Sequence, residues 1–246
     1  KELAEGYVAA GKAANVVVTH GEIAELGSRV QGFGPINLQW GASVLWFAQR
    51  NRLLTGDKIQ AGDSIVALHE NGLRSNGFSL LRRVLESQYG DDWHNELFLG
   101  EEIGHIALQP STIYSRLLCT ITGGFQGIPR GSLSGAAHIT GGGIPSKLGR
   151  LLKRQALGAD LEQLFEPCQL MLHAQELGRV SDEDAYSTWN MGQGMLLITP
   201  DPEGILELCR RDSFVAQVAG KVIRKPTIRI KSKGFFQREQ VLQFAL

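Results

Sequence analysis

Ala136-Ala137-His138-Ile139-Thr140-Gly141-Gly142-Gly143-Ile144-Pro145 reads as a short apolar strand ending in Thr140, three glycines, and then a helix from Ser146 to Arg154. Glycines at such a turn let backbone N–H groups converge on one point without side-chain obstruction. The helix start adds further unpaired N–H groups and the positive end of its dipole. A turn of this kind suits a phosphate or a developing oxyanion. A plain strand-to-helix connection uses the same residues, so the rest of the chain has to decide between the two.

Upstream, Lys1 to Ala14 has helical composition, and the β-branched run Asn15-Val16-Val17-Val18-Thr19 predicts a strand. His20 to Gly34 is a polar, glycine-bearing loop, and Trp40 to Ala48 predicts another strand. After the turns at Thr55-Gly56-Asp57 and Gln60-Ala61-Gly62-Asp63 comes the apolar strand Ser64 to Leu68, with a domain junction placed near residues 54–62. Glu70 to Gly77 is a polar loop, and Phe78, Leu81, Val84 and Leu85 then repeat at helical spacing. Trp93 to Gly104 is irregular, and Pro110 precedes a helix over Ser111 to Ile121. Gly123 to Gly135, with five glycines and a proline, reads as an insertion or mobile loop.

Downstream of the glycine turn and its helix a basic linker follows, and then helices are predicted at Glu166 to Gln175 and Asp182 to Ser187. Trp189 to Gly194 is a second glycine-containing turn, leading into a strand over Met195 to Thr199. A helix over Glu203 to Arg211 and strands over Val215 to Val222 and Thr227 to Lys231 complete the pattern. There is no internal repeat and no regular alternation of strand and helix. The expected class is therefore α+β, with helices covering a mixed sheet.

Basic and acidic residues number 25 each, for a formal net charge of zero, and they are scattered along the chain. This balance argues against a general nucleic-acid surface. The basic tail Arg224 to Arg238 contains Thr227-Ile228-Arg229-Ile230-Lys231, whose alternation predicts an edge strand with a solvated face rather than an anion site. Cys119, Cys168 and Cys209 are widely spaced with no CxxC pair, which argues against a disulfide framework or structural zinc and favours a reducing, cytoplasmic compartment. No apolar run reaches the roughly 18 residues of a membrane span, and no signal peptide is visible. The chain opens at Lys1 inside a helix-like segment, so we expect a piece of a longer protein.

Four segments in order resemble one family. Gly21-Glu22-Ile23-Ala24-Glu25 is similar to its GGETAE loop. Gly62-Asp63-Ser64-Ile65-Val66-Ala67-Leu68 with Ser75-Asn76-Gly77-Phe78-Ser79-Leu80 is similar to its GDxLIxL…HSNGYSL segment. Ala137 to Gly143 matches AHITGGG, and Thr188 to Met195 resembles TFNMGxGM. Over residues 15–222 the chain thus resembles the AIR synthetase (phosphoribosylformylglycinamidine cyclo-ligase) family. Departures are His20 for a glycine of GGET, Ile23 for its threonine, Arg74 for the HSNG histidine, and Ile144-Pro145-Ser146-Lys147 where the family continues through a Glu-Asn pair.

The resemblance implies that residues 1–55 end an N-terminal ATP-binding and dimerisation domain and that 56–246 form the C-terminal α+β domain. The family's aspartate-rich ATP segment, DGVGTK, lies upstream of this sequence. It further implies a cytoplasmic homodimeric enzyme of purine biosynthesis using ATP and Mg²⁺ on a small ribonucleotide, with no nucleic acid or membrane partner. In the family reaction ATP activates the formyl oxygen of formylglycinamidine ribonucleotide as a phosphate ester, and the ring-closing nitrogen then displaces phosphate. This chemistry rests on positioning and electrostatics more than on a strong nucleophile.

On that basis Glu22 is the magnesium and cofactor ligand, a hard oxygen donor in a polar loop, against the alternative of a solvated carboxylate. Ser75, Asn76, Thr140, Gly141, Gly142, Gly143 and Asn190 are the substrate-binding set, although Asn-Gly pairs also serve simply as turns. His138 is the catalytic candidate as a proton donor, with a buried structural histidine as the alternative. Arg74 is either an added phosphate contact or a solvated loop arginine. Two other readings remain: a relative of the thiamine-monophosphate kinase or selenophosphate synthetase type, and a non-catalytic nucleotide-binding or assembly module. The second is motivated by the lost GGET threonine and HSNG histidine.

Overall fold

A computed structural model describes residues 1–32 and 38–246. Its centre is a seven-stranded sheet with seven helices packed around it. The strands are β1 (Ser64–His69), β4 (Gly135–His138), β5 (Gly158–Leu161), β6 (Gln193–Thr199), β7 (Ala216–Ile223), β8 (Thr227–Lys231) and β9 (Val241–Ala245), in the order β4-β6-β1-β7-β5-β8-β9. Leu97–Phe98 and Glu101–Glu102 form a separate two-stranded ribbon, β2 and β3. All neighbours in the large sheet run antiparallel except β5 and β8. This is the α+β architecture expected from the sequence.

The apolar run of β1 is explained by burial on both faces. Ile65 and Ala67 join a core with Leu81 and Leu85 of α2 (Phe78–Tyr89), Ile103 of α3 (Ile103–Ala107), Leu148 of α5 (Gly143–Leu152), Met171 of α6 (Gln169–Gly178) and Tyr186 of α7 (Asp182–Thr188). Val66 and Leu68 point the other way, into a cluster with Leu117 and Ile121 of α4 (Ser115–Thr122) and Ile205 and Cys209 of α8 (Pro202–Arg211). Beyond β7 the second face carries charge instead, with Arg229 donating to Asp160 at 3.0 Å across the parallel pair.

Several expectations need correction. Neither Asn15–Thr19 nor Trp40–Ala48 is a strand; after α1 (Glu2–Ala14) the described residues up to 63 hold only single 3₁₀ turns at Gly27–Arg29 and Arg50–Arg52. β-propensity becomes a strand only against a partner edge, and neither segment has one among the described residues. Residues 33 and 34 of the predicted loop lie outside the described residues. Thr227–Lys231 is a strand but not an edge, because β5 and β9 flank it. The helix after the glycine turn begins at Gly143, with Pro145 in its first turn where a missing N–H costs nothing. Residues 123–134 form a tethered loop, and Gly135 already belongs to β4: the Arg52 guanidinium donates to the carbonyls of Gly123, Gly124 and Gly127 at 3.2, 3.1 and 2.8 Å.

The buried Asp182, at the start of α7, anchors the C-terminal segment. Its carboxylate accepts from Gln175 Nε2 at 2.9 Å, from the Ser232 hydroxyl, and from the amides of Phe236 and Gln237 at 3.1 Å each. The Tyr186 hydroxyl oxygen accepts from the Lys233 amide at 2.9 Å.

Candidate functional site

The sheet brings three loops together. β6 lies between β4 and β1, with His138 opposite Met195 and His69 opposite Gln193. β4 and β1 therefore both end where β6 begins. The turn Thr140–Gly143, the loop Glu70–Gly77 and the turn Asn190–Gln193 all emerge at this edge.

Thr140–Gly143 is closed by a hydrogen bond from the Gly143 amide to the Thr140 carbonyl at 2.8 Å. Gly142, at φ 92° and ψ −1°, occupies the third position of a type II turn, which favours glycine. A Cβ on Gly143 would overlap the Tyr186 carbonyl oxygen, so this glycine also lets α5 lie directly against α7. Among the described residues nothing accepts the amide hydrogens of Gly141 and Gly142. They sit beside the N-terminus of α5, where anionic oxygen is favoured. Thr140 is half-buried and Gly141 is exposed.

The neighbouring loop touches this turn. A Cβ on Gly141 would press on Asn76 Oδ1 at 3.3 Å, with Asn76 half-buried and Ser75 exposed beside it. Asn190 is buried, and its amide is turned inward: Nδ2 donates to the Gly72 carbonyl and Oδ1 accepts from the Gly192 amide, each at 2.8 Å. Trp189 Nε1 donates to the Gly77 carbonyl at 3.2 Å. The second turn thus braces the first loop from behind.

A charged cluster lies at the centre. Glu70 is 1% exposed and pairs with the Arg74 guanidinium. Its carboxylate also accepts from the Thr112 amide at 3.3 Å and the Thr112 hydroxyl at 3.2 Å, and the Tyr114 hydroxyl, which donates to the His69 carbonyl at 2.9 Å, lies 3.3 Å from it. Arg74 Nη1 donates to the Thr112 carbonyl at 3.3 Å, and Arg74 Nη2 lies 2.9 Å from His138 Nε2. Burial and the Glu70 charge push the Tyr114 phenol well above its ordinary range, so it is a neutral donor. Burial lowers the pKa of His69. Desolvation, with the Arg74 charge next, lowers that of His138.

Arg74 is therefore not a solvated loop arginine, and His138 is not a buried structural histidine but an exposed residue at a strand end. Sequence reasoning missed Glu70, Thr112 and Tyr114. Their one legible sign is a carboxylate two residues past a doubly buried strand core. Glu22 is exposed on a segment without regular structure, and among the described residues it makes no hydrogen bond or ion pair. It is not brought to this cluster. Among the described residues no three His, Cys, Asp or Glu side chains gather to hold a metal ion.

Residues 60–233 match the family described as AIR synthase related protein, C-terminal domain. The chain belongs to this family. The matched stretch contains every residue of the cluster, whereas Glu22 lies outside it. Among curated proteins, the chain is 35% identical over 206 residues to the phosphoribosylformylglycinamidine cyclo-ligase of Methanopyrus kandleri, covering 82% of this chain and 55% of that protein. It is 31% identical over 227 residues to the protein of the same name from a Synechococcus strain, covering 90% and 63%. The chain spans roughly half to two thirds of the length of these two relatives. Among solved structures, a thiamine-monophosphate kinase from Stenotrophomonas maltophilia is similar with a TM-score of 0.48 at 13% identity, over 75% of this chain and 53% of that one. The hydrogenase maturation protein HypE of E. coli has a TM-score of 0.47 at 18% identity, over 85% and 53%. No described helix is long and apolar enough to cross a membrane.

Proposed function

We propose that the protein carrying this chain is an ATP-dependent cyclo-ligase that closes formylglycinamidine ribonucleotide to aminoimidazole ribonucleotide in purine biosynthesis. One observation carries the reading: inside the family-matched stretch, the unpaired amides of Gly141 and Gly142 meet Asn76 and the strand that ends in His138 at one edge of the sheet. The curated relatives named as cyclo-ligases support this chemistry for the site.

In this reading the backbone N–H groups of Thr140, Gly141 and Gly142 receive an anionic oxygen of the substrate, and Gly143 shapes the turn by donating its own amide to the Thr140 carbonyl. Ser75 and Asn76 supply neutral donors and acceptors beside it. Asn190 acts from behind by holding Gly72, and His138 faces the reacting end. The N–H-rich turn fits a phosphate, and ATP supplies the phosphoryl group that activates the formyl oxygen. The described residues do not form a magnesium cage. Glu22, an exposed carboxylate, would be the ligand this chain offers the ion, and a bound magnesium would supply positive charge for the phosphoryl oxygens. The enzyme works as a cytoplasmic homodimer, with residues 1–55 belonging to its N-terminal domain and 56–246 forming the C-terminal one.

The test is an assay of the intact protein with formylglycinamidine ribonucleotide, ATP and Mg²⁺. Aminoimidazole ribonucleotide and ADP should form in equal amounts. Folded protein that makes no imidazole, yet phosphorylates thiamine monophosphate or selenide, would move the assignment to another branch of the superfamily.

A further inference from the structure

The contact between Arg74 and His138 constrains protonation as well as position. A guanidinium carries five N–H donors and no acceptor. At 2.9 Å from Arg74 Nη2, His138 Nε2 has to present its lone pair, so the ring proton resides on Nδ1. Nδ1 has no partner among the described residues. Protonating Nε2 as well would bring two N–H groups face to face.

Arg74 is not free to move aside. It pairs with the buried Glu70, donates to the Thr112 carbonyl, and stands 5.4 Å from the centroid of the Tyr114 ring. Its backbone is left-handed at φ 58°, a conformation that costs a non-glycine residue and is kept where surrounding contacts impose it. Glu70 is itself fixed by Thr112 and Tyr114.

Resting on the reading of this edge as the substrate site, we infer that Arg74, clamped by Glu70, is a positioning residue that fixes His138 as a neutral imidazole with its proton on Nδ1. His138 then serves as a hydrogen-bond donor to a substrate oxygen, and its Nε2 lone pair is not available as a general base. The charged groups facing His138 are Arg74 and Glu70 from the loop after β1 and Lys147 from α5. Desolvation, Arg74 and Lys147 all disfavour the imidazolium, and Glu70 opposes them in part.

The experiment is ¹⁵N NMR of histidine-labelled intact protein across pH, without nucleotide or substrate. His138 is assigned among the six histidines by loss of its signal in His138→Gln. The wild type should show a protonated-type Nδ1, a lone-pair-type Nε2 and a titration midpoint below 6.5. Replacing Arg74 alone would strand the buried Glu70 charge, so the variant is the neutral double substitution Glu70→Gln/Arg74→Met. There the ring should shift toward the Nε2–H form that free imidazole favours, and the midpoint should rise. A wild-type proton on Nε2, or a tautomer and midpoint unchanged in the double variant, would overturn the inference. The wild-type spectrum decides the tautomer even where the double variant fails to fold. Because no turnover is measured, a failed cyclisation assay would remove the functional reading and leave this result standing.

Discussion

Asp182→Ala tests whether the C-terminal segment is held by one buried carboxylate. The substitution removes the shared acceptor of Gln175 Nε2, the Ser232 hydroxyl and the amides of Phe236 and Gln237. Hydrogen bonds to a charged group contribute about 1.5–3 kcal/mol each, but donors on one short loop relax together and do not add. Each buried donor left without an acceptor costs about 1–3 kcal/mol, and with the four relaxing partly together we expect a total of about 3–5 kcal/mol. At about 2–4 °C per kcal/mol for a domain of this size, the melting temperature should fall by about 6–20 °C. Urea unfolding at neutral pH measures the free energy, and calorimetry the midpoint. Asp184→Ala is the control, since the exposed Asp184 carboxylate accepts, among the described residues, only from the Ser181 hydroxyl at 2.8 Å, and it should cost under about 1 kcal/mol. An Asp182→Ala loss no larger than that of the control would refute the reasoning. The loop at 232–237 would then be held by its surroundings.

Gly142→Val should weaken substrate binding by at least about tenfold, the equivalent of one charge-assisted hydrogen bond, because φ 92° is unfavourable for valine and its Cβ would crowd Ser146. An unchanged KM in a folded variant would reduce the turn to a structural connection. Glu22→Gln should lower the ATP-dependent rate by about ten- to a thousandfold, recover in part at higher magnesium, and change stability by under about 0.5 kcal/mol. Normal kinetics at limiting magnesium would show that Glu22 is only a solvated carboxylate. His69, His138 and His173 all have lowered pKa values, burial being the first cause in each case. As pH falls through 6.5 the unfolded chain binds protons that the folded chain refuses, so stability is full above that value and declines below it. Urea midpoints should drop from about pH 7.5 to about pH 5.5, and His173→Gln should flatten the slope; an unaltered slope would exclude His173 as a contributor.

Elements with a strong local pattern were legible in advance. β1 is a short apolar run, α2 repeats Leu81, Val84 and Leu85 at helical spacing, and β8 occupies the residues that its alternation marks. β5 and β9 were not legible. Gly158–Leu161 is short, and it becomes a strand through pairing with β7 and β8, some sixty to seventy residues away. Val241–Ala245 forms against β8 after the Asp182-anchored loop has reversed the chain. Asn15–Thr19 shows the converse: three consecutive valines carry strand propensity, yet propensity without a partner edge makes no ladder.

The site divides along the same line. Its glycines were readable because a left-handed turn and the close approach of α5 to α7 leave few other residues possible at positions 142 and 143. The charged centre was not, because Glu70 meets Thr112 and Tyr114 across 42 and 44 residues of sequence, a distance that no local pattern spans. Sequence alone therefore showed Arg74 as an isolated departure from the HSNG motif. In the fold Arg74 is one half of an ion pair with Glu70. A lone arginine beside His138 would bring an uncompensated charge into a half-closed site, and a lone glutamate at position 70 would be buried without a counter-ion, each at a cost of several kcal/mol. Together the two charges neutralise one another, and the surplus N–H donors of the guanidinium remain to hold the imidazole. Because the guanidinium is permanently charged, the proton that can move in this contact is the one on His138.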